Sequence, residues 1–139
     1  MLNHNSKQNR RKRLGATMVE FAVVTPILFT LLLAVFEFGW QVVIRHTADN
    51  AAYEAARKAI VPGGTAADAI EEANRVMGIV GARSFTVNVT PTVITEATRD
   101  IEVTVSGQYA DNGIVAARFF NGLGFESRSK LLTERPRRD

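Results

Sequence analysis

At 139 residues the chain has room for one domain rather than two. It contains no cysteine, which excludes disulfides, thiolate zinc sites and cysteine nucleophiles. Its formal charge of +3 is concentrated: Lys7, Arg10, Arg11, Lys12 and Arg13 lie in the first 15 positions with no acid, and the remainder carries 12 basic against 14 acidic residues. A basic leader is not the footprint of a nucleic-acid binder, which needs a basic face on the folded domain.

Residues 1–14, MLNHNSKQNRRKRL, show no apolar periodicity and are expected to be irregular in water. The run Arg10, Arg11, Lys12 and Arg13 suits anionic headgroups on the cytoplasmic side of a membrane. From Ala16 the chain reads ATMVEFAVVTPILFTLLLAVFEFGWQVVI, uncharged from Phe21 to Phe36. With Ala16–Val19 ahead of it, that stretch supplies about the 20 residues a bilayer requires, interrupted by Glu20. Cations crowd its N-terminal flank and Glu37 opens the other, so the positive-inside rule places the N-terminus in the cytoplasm. Glu37 reads as an interfacial acid, and Trp40 falls near the outer interface. A cleaved secretory signal is the competing reading. The apolar run argues against it, passing into Trp40–Ile44 without a small-x-small break.

Helical pattern continues beyond the membrane. Ala48, Ala51, Ala52, Ala55, Ala56 and Ala59 recur at i, i+3, i+4 spacing, a stripe of small side chains that lets another element approach closely. Intramolecular packing against a second helix is the preferred use of that stripe, packing between subunits the other. Val61-Pro-Gly-Gly64 should end the helix, and Pro26 should kink it modestly. A second helix is predicted from Thr65 to about Val80, with Thr65 and Asp68 as a capping box. Its buried face would be Ala66, Ile70, Ala73, Met77 and Val80, with Asp68, Glu71, Glu72 and Arg75 toward water.

After Gly81 the period becomes two. Phe85, Val87 and Val89 alternate with polar residues, as do Ile101, Val103 and Val105, so both segments read as half-buried strands able to pair antiparallel. Asp111-Asn-Gly113 marks a turn, IVAARFFN (114–121) reads as a short helix or loop, and Phe125–Leu132 as a third strand. The predicted fold class is α+β: a long N-terminal transmembrane helix continuing into a soluble helix, a second amphipathic helix, and a small antiparallel sheet of two to three strands. The predicted organisation is a leader over 1–15, a transmembrane helix over 16–39 and an extracytoplasmic domain over 40–139.

No catalytic pattern accompanies this architecture. HExxH, GxSxG and P-loop signatures are lacking, Gly122-Leu-Gly124 is too short for a dinucleotide fingerprint, and His4 and His46 stand apart. No cofactor, metal, small-molecule substrate or nucleic acid is expected, and the chain does not read as an enzyme.

Glu20 is the informative residue, because an ionisable group near a transmembrane end usually has a partner or a function. A basic leader ends in Gly15, Ala16 opens the apolar helix, and Glu20 is fifth after Gly15, followed by Phe21. This order resembles a type IV prepilin signal. Over residues 13–28, RLGATMVEFAVVTPIL, then Phe36-Glu-Phe-Gly39 and Ala51-Ala-Tyr-Glu-Ala-Ala-Arg57, the chain resembles the TadE-like minor pilins, or pseudopilins, of tight-adherence (Flp) pili. The resemblance implies cutting between Gly15 and Ala16 by a membrane prepilin peptidase, and pairing of Glu20, beside Phe21, with a free N-terminal amine. It also implies a single-pass protein of the bacterial inner membrane with its C-terminal domain periplasmic or extracellular. Its partners would be the peptidase, other pilin or pseudopilin subunits, the pilus assembly machinery and membrane lipids. Two readings compete: an unprocessed bitopic scaffold or assembly protein of a secretion system, and a membrane-tethered enzyme or receptor.

Overall fold

The computed structural model describes residues 4–114 and 122–133, with side chains described from Gly15 onward. The chain divides into two compact units between Phe36 and Glu37. The element order is α1 (His4–Ile60), α2 (Ala66–Ile79), β1 (Phe85–Thr90), β2 (Asp100–Gln108), α3 (Tyr109–Asn112) and β3 (Gly124–Leu132). The architecture is α+β, with a long apolar helix, a further helix and a three-stranded antiparallel sheet.

In the first unit α1 begins at His4, upstream of the expected start. The leader was expected to be irregular, but Lys, Arg, Gln and Leu are good helix formers. They can extend a helix whose costly nucleus the apolar stretch has already supplied. From Met18 to Phe36 the large apolar side chains are exposed, and the segment is long and apolar enough to cross a membrane. The helix continues through Pro26. The Thr30 hydroxyl donates to the Pro26 carbonyl at 2.8 Å.

The second unit is built on the Ala stripe. Ala48, Ala51, Ala52, Ala55, Ala56 and Ala59 are fully buried, in one cluster with Ala69, Ala73 and Met77 of α2 and with Ile101, Val103 and Val105 of β2. Small side chains allow the close approach that a layer of Leu would prevent. The preferred intramolecular use of the stripe is therefore observed, against the sheet as well as against α2. Asp49 of α1 accepts a short hydrogen bond from Ser127 of β3 (2.5 Å), while α2 lies against β1.

α1 stops at Ile60, where Pro62 and two glycines follow. A Cβ at Gly64 would come within 2.6 Å of the Lys58 carbonyl oxygen, so only glycine lets the chain turn this closely over the helix end. Thr65 caps α2 with a complete capping box: its hydroxyl accepts from the Asp68 amide at 3.2 Å, and Asp68 accepts from the Thr65 amide at 2.9 Å. The buried face of α2 is Ala69, Ala73, Val76 and Met77. Ile70, expected inside, is 38% exposed. Ala73 and Met77 are buried as expected and Ala66 and Val80 pack half-buried against the core, while Ala69 and Val76 take the place expected of Ile70.

The hydrogen bonds from the Thr65 side chain and then its backbone hold the Asp68 carboxyl below its ordinary value of 3.8. A depressed carboxyl contributes stability that is complete above the unfolded value and is lost as pH falls through the folded one. The melting temperature should therefore decline below pH 3.8, and Asp68→Asn should flatten that part of the profile. Thr65→Ala should destabilise by about 1 kcal/mol at neutral pH. Thermal melts of the full chain from neutral pH downward check both.

β2 is the central strand, with β1 and β3 antiparallel on either side. Its register sets Val105 beside Val87 and Ser127, and Val103 beside Val89 and Ser129. Gly107 lies between Phe85 and Phe125, and a Cβ there would meet the Phe125 ring at 2.8 Å. Of the expected Asp111-Asn-Gly turn, Asp111 and the buried Asn112 are instead the end of α3, and Gly113 caps it. Of the segment 114–121 only Ile114 lies among the described residues.

Candidate functional site

The residues singled out in the N-terminal segment all lie on α1. Gly15, Ala16, Glu20 and Phe21 are exposed, and nothing approaches within 4 Å of the position a Gly15 side chain would occupy. The helix places Glu20 four residues, one turn, below Ala16 on the same face, where side chains sit about 5–6 Å apart at Cβ. Phe21 turns away from that face by one helical step. The backbone of Arg10, Arg11, Lys12 and Arg13 is helical; their side chains lie outside the described residues.

The second unit contains a polar cluster that the sequence reading missed. Glu37, expected at an interface, is 1% exposed. Its Oε1 accepts from Gln41 Nε2 at 2.9 Å and its Oε2 from the Ile114 amide at 3.2 Å. One turn on, the Trp40 indole N–H donates to the Asn112 carbonyl at 2.8 Å. The Asn112 side chain then fastens three backbone groups: Nδ2 donates to the carbonyls of Ser84 (3.1 Å) and Gln108 (2.9 Å), and Oδ1 accepts from the Arg83 amide (2.9 Å). Gln41 Oε1 is buried without a hydrogen-bond partner among the described residues. The cluster ties α1 to the segment after β2 and to the start of β1.

A signal for this was available. Glu37, Gln41, Ile44, Ala48, Ala51, Ala55 and Ala59 follow one another at spacings of three and four. Extending the Ala stripe upstream therefore leads to Glu37 and Gln41, and all seven are buried. Their polarity hid the continuity, because a charge at the end of an apolar run reads first as a membrane boundary.

The chemistry available elsewhere is limited. An open hollow of about 630 Å³ is lined by Arg83, Gln108, Asp111 and Glu126 among others. Among the described residues no three His, Asp or Glu side chains converge to hold a metal, and His46 is exposed. The first unit offers an apolar helix bearing one carboxylate near the start of its apolar stretch, and the second a small domain with a buried polar cluster of its own.

Comparison with known families decides what that segment is like. Residues 15–57 match the family described as TadE-like protein. The chain carries a TadE-like segment. It begins at Gly15, takes in Glu20, Phe21, Glu37, Trp40 and Gln41, and ends within the Ala stripe. It covers α1 alone and none of the sheet. The TadE-like match points to association with the tight-adherence (Tad) pilus. Comparisons with curated proteins and with solved structures find no match.

Proposed function

We propose that this protein is a TadE-like minor pilin, or pseudopilin, that takes part in assembling an adhesive tight-adherence pilus. It enters the inner membrane with its N-terminus in the cytoplasm and is cut after Gly15 by a prepilin peptidase. The observation that carries this reading is the TadE-like match opening at Gly15, with Glu20 one helical turn beyond Ala16.

The physical logic is local. Gly15 is the weakest helix former in its neighbourhood and has no side chain, so opening the backbone there for a protease is least costly. The new amine at Ala16 would stand at the N-terminus of the helix. One turn below it, Glu20 gains both from that positive end and from the amine itself. Paired with an amine, its own or a neighbouring subunit's, the carboxylate can remain charged at the edge of the hydrocarbon. The cut precedes the apolar stretch, so the product keeps its anchor. The peptidase and other pilin subunits are then the partners, and the protein is a substrate and an assembly element rather than a catalyst.

N-terminal sequencing of membrane-extracted protein tests this. A start at Ala16 is expected, and Gly15→Trp should leave full-length chain. An intact Met1 in cells with a working peptidase would overturn the processing and leave the unprocessed bitopic scaffold. Glu20→Ala should be cut and inserted normally yet be lost from sheared surface filaments.

A further inference from the structure

We infer that Asn112 and Gly113 form a self-modification site that the fold holds silent: when this end of the second unit opens, the Asn112 amide converts to a carboxylate and the end cannot close again. The inference concerns the second unit alone and stands apart from the pilus reading.

The reaction needs the protein and water only. Gly113 has no side chain to hinder its own amide nitrogen, which makes an Asn-Gly pair the most reactive of its kind. That nitrogen attacks Cγ of Asn112, a C–N bond forms, and a five-membered succinimide ring closes. The Cγ–Nδ2 bond breaks, and Nδ2 leaves as ammonia with the proton given up by the Gly113 amide. Water then adds to either ring carbonyl and reopens the ring, leaving an aspartate or an isoaspartate. Nothing is oxidised or reduced.

The fold withholds what the reaction requires. Nδ2 donates to the Ser84 and Gln108 carbonyls at 3.1 and 2.9 Å, and Oδ1 accepts from the Arg83 amide at 2.9 Å, so the carboxamide is held through both its nitrogen and its oxygen. Asn112 is the last residue of α3, and the ring cannot close while its backbone keeps a helical angle. Its carbonyl is held by the Trp40 indole at 2.8 Å. The residue is 8% exposed, which limits access of water and base. Attack therefore requires the side-chain bonds to break and the end of α3 to unwind together, which is a local opening of this end. After conversion the group has no N–H to offer at neutral pH. The Ser84 and Gln108 carbonyls lose their donor and face a charge, and isoaspartate also lengthens the main chain by a methylene. The pair is thus a one-way marker of chains that have opened: a chain that stays closed through Trp40 and Asn112 keeps its amide.

Full-length protein in detergent is incubated at mildly alkaline pH, with and without urea. Conversion is followed by peptide mass spectrometry and isoaspartyl methyltransferase labelling. In urea Asn112 should convert as fast as Asn121, the other Asn followed by Gly. Gly113→Ala, at a φ of −71° that alanine adopts readily, should slow conversion in urea severalfold. In the folded parent, conversion at 112 should be at least about tenfold slower than in urea. Trp40→Phe removes the indole donor and leaves the carboxamide untouched. It should speed conversion of the folded chain severalfold and leave the rate in urea unchanged. Converted parent chains, separated by their extra charge from unconverted ones of the same aged sample, should show the Trp40 emission of an opened site. Equal rates at 112 with and without urea, or no acceleration in Trp40→Phe, would overturn the gating. An unchanged rate in Gly113→Ala would overturn the chemistry, and native Trp40 emission in converted chains the one-way closure.

Discussion

Asn112→Ala should lower the melting temperature of the full chain by about 10 °C or more, from a loss of about 3 kcal/mol in a unit of this size. Three backbone groups, the Arg83 amide and the carbonyls of Ser84 and Gln108, lose a side-chain partner at once. Asn112 is buried, so these groups cannot all recover water without opening the segment between β2 and Ile114. Asn112→Asp is the discriminating variant. It keeps shape and the acceptor for Arg83 but sets a carboxylate oxygen against two carbonyls. It should be as damaging at neutral pH and partly recover in acid, where a protonated oxygen can donate. Trp40, the single tryptophan, reports the event directly because its indole is bonded to the Asn112 carbonyl. A melting temperature within a degree or two of the parent would show that the cluster does not hold this end of the fold.

Ala55→Leu should be comparably destabilising. Ala55 is fully buried in the cluster joining α1 with α2 and the sheet, where added methylenes have no space. Overpacking a close-packed core costs about 1–3 kcal/mol. The upper part of that range is expected because helix and sheet must both move. The Lys58–Glu72 ion pair at 3.7 Å, between an exposed lysine and a half-buried glutamate, would have to stretch with them. Ala67→Leu, on the exposed side of α2, is the control and should change stability by no more than about 0.5 kcal/mol. Denaturant titration of both variants in the same detergent checks the contrast. Equal stability would mean that the stripe does not set the spacing of the layers.

Together these variants separate two uses of one helix. Gly15, Ala16 and Glu20 are exposed and carry no share of the packing, so their substitution should alter processing and assembly while leaving the domain's melting unchanged. Asn112 and Ala55 should do the reverse. The TadE-like segment spans both uses, since it runs from Gly15 to Arg57.

The sequence by itself determined whatever depends on neighbours a few residues away. The Ala stripe followed from a 3.6-residue period, the end of α1 from Pro62 and two glycines, the cap of α2 from Thr65 and Asp68, and β1 and β2 from strict alternation. The apolar length and the order Gly15, Ala16, Glu20, Phe21 are also local, which is why the TadE-like resemblance was legible before any coordinates. Only the tertiary structure decided that Glu37 and Gln41 are buried and that Trp40 and Asn112 meet across 72 positions of chain. It also decided that Ala69 and Val76, rather than Ile70, face the core of α2. The physical reason is the same in each case. Hydrophobicity tells what a residue prefers, whereas burial of a polar group depends on whether distant backbone donors and acceptors arrive to satisfy it. For Glu37 that donor is the amide of Ile114, 77 residues away.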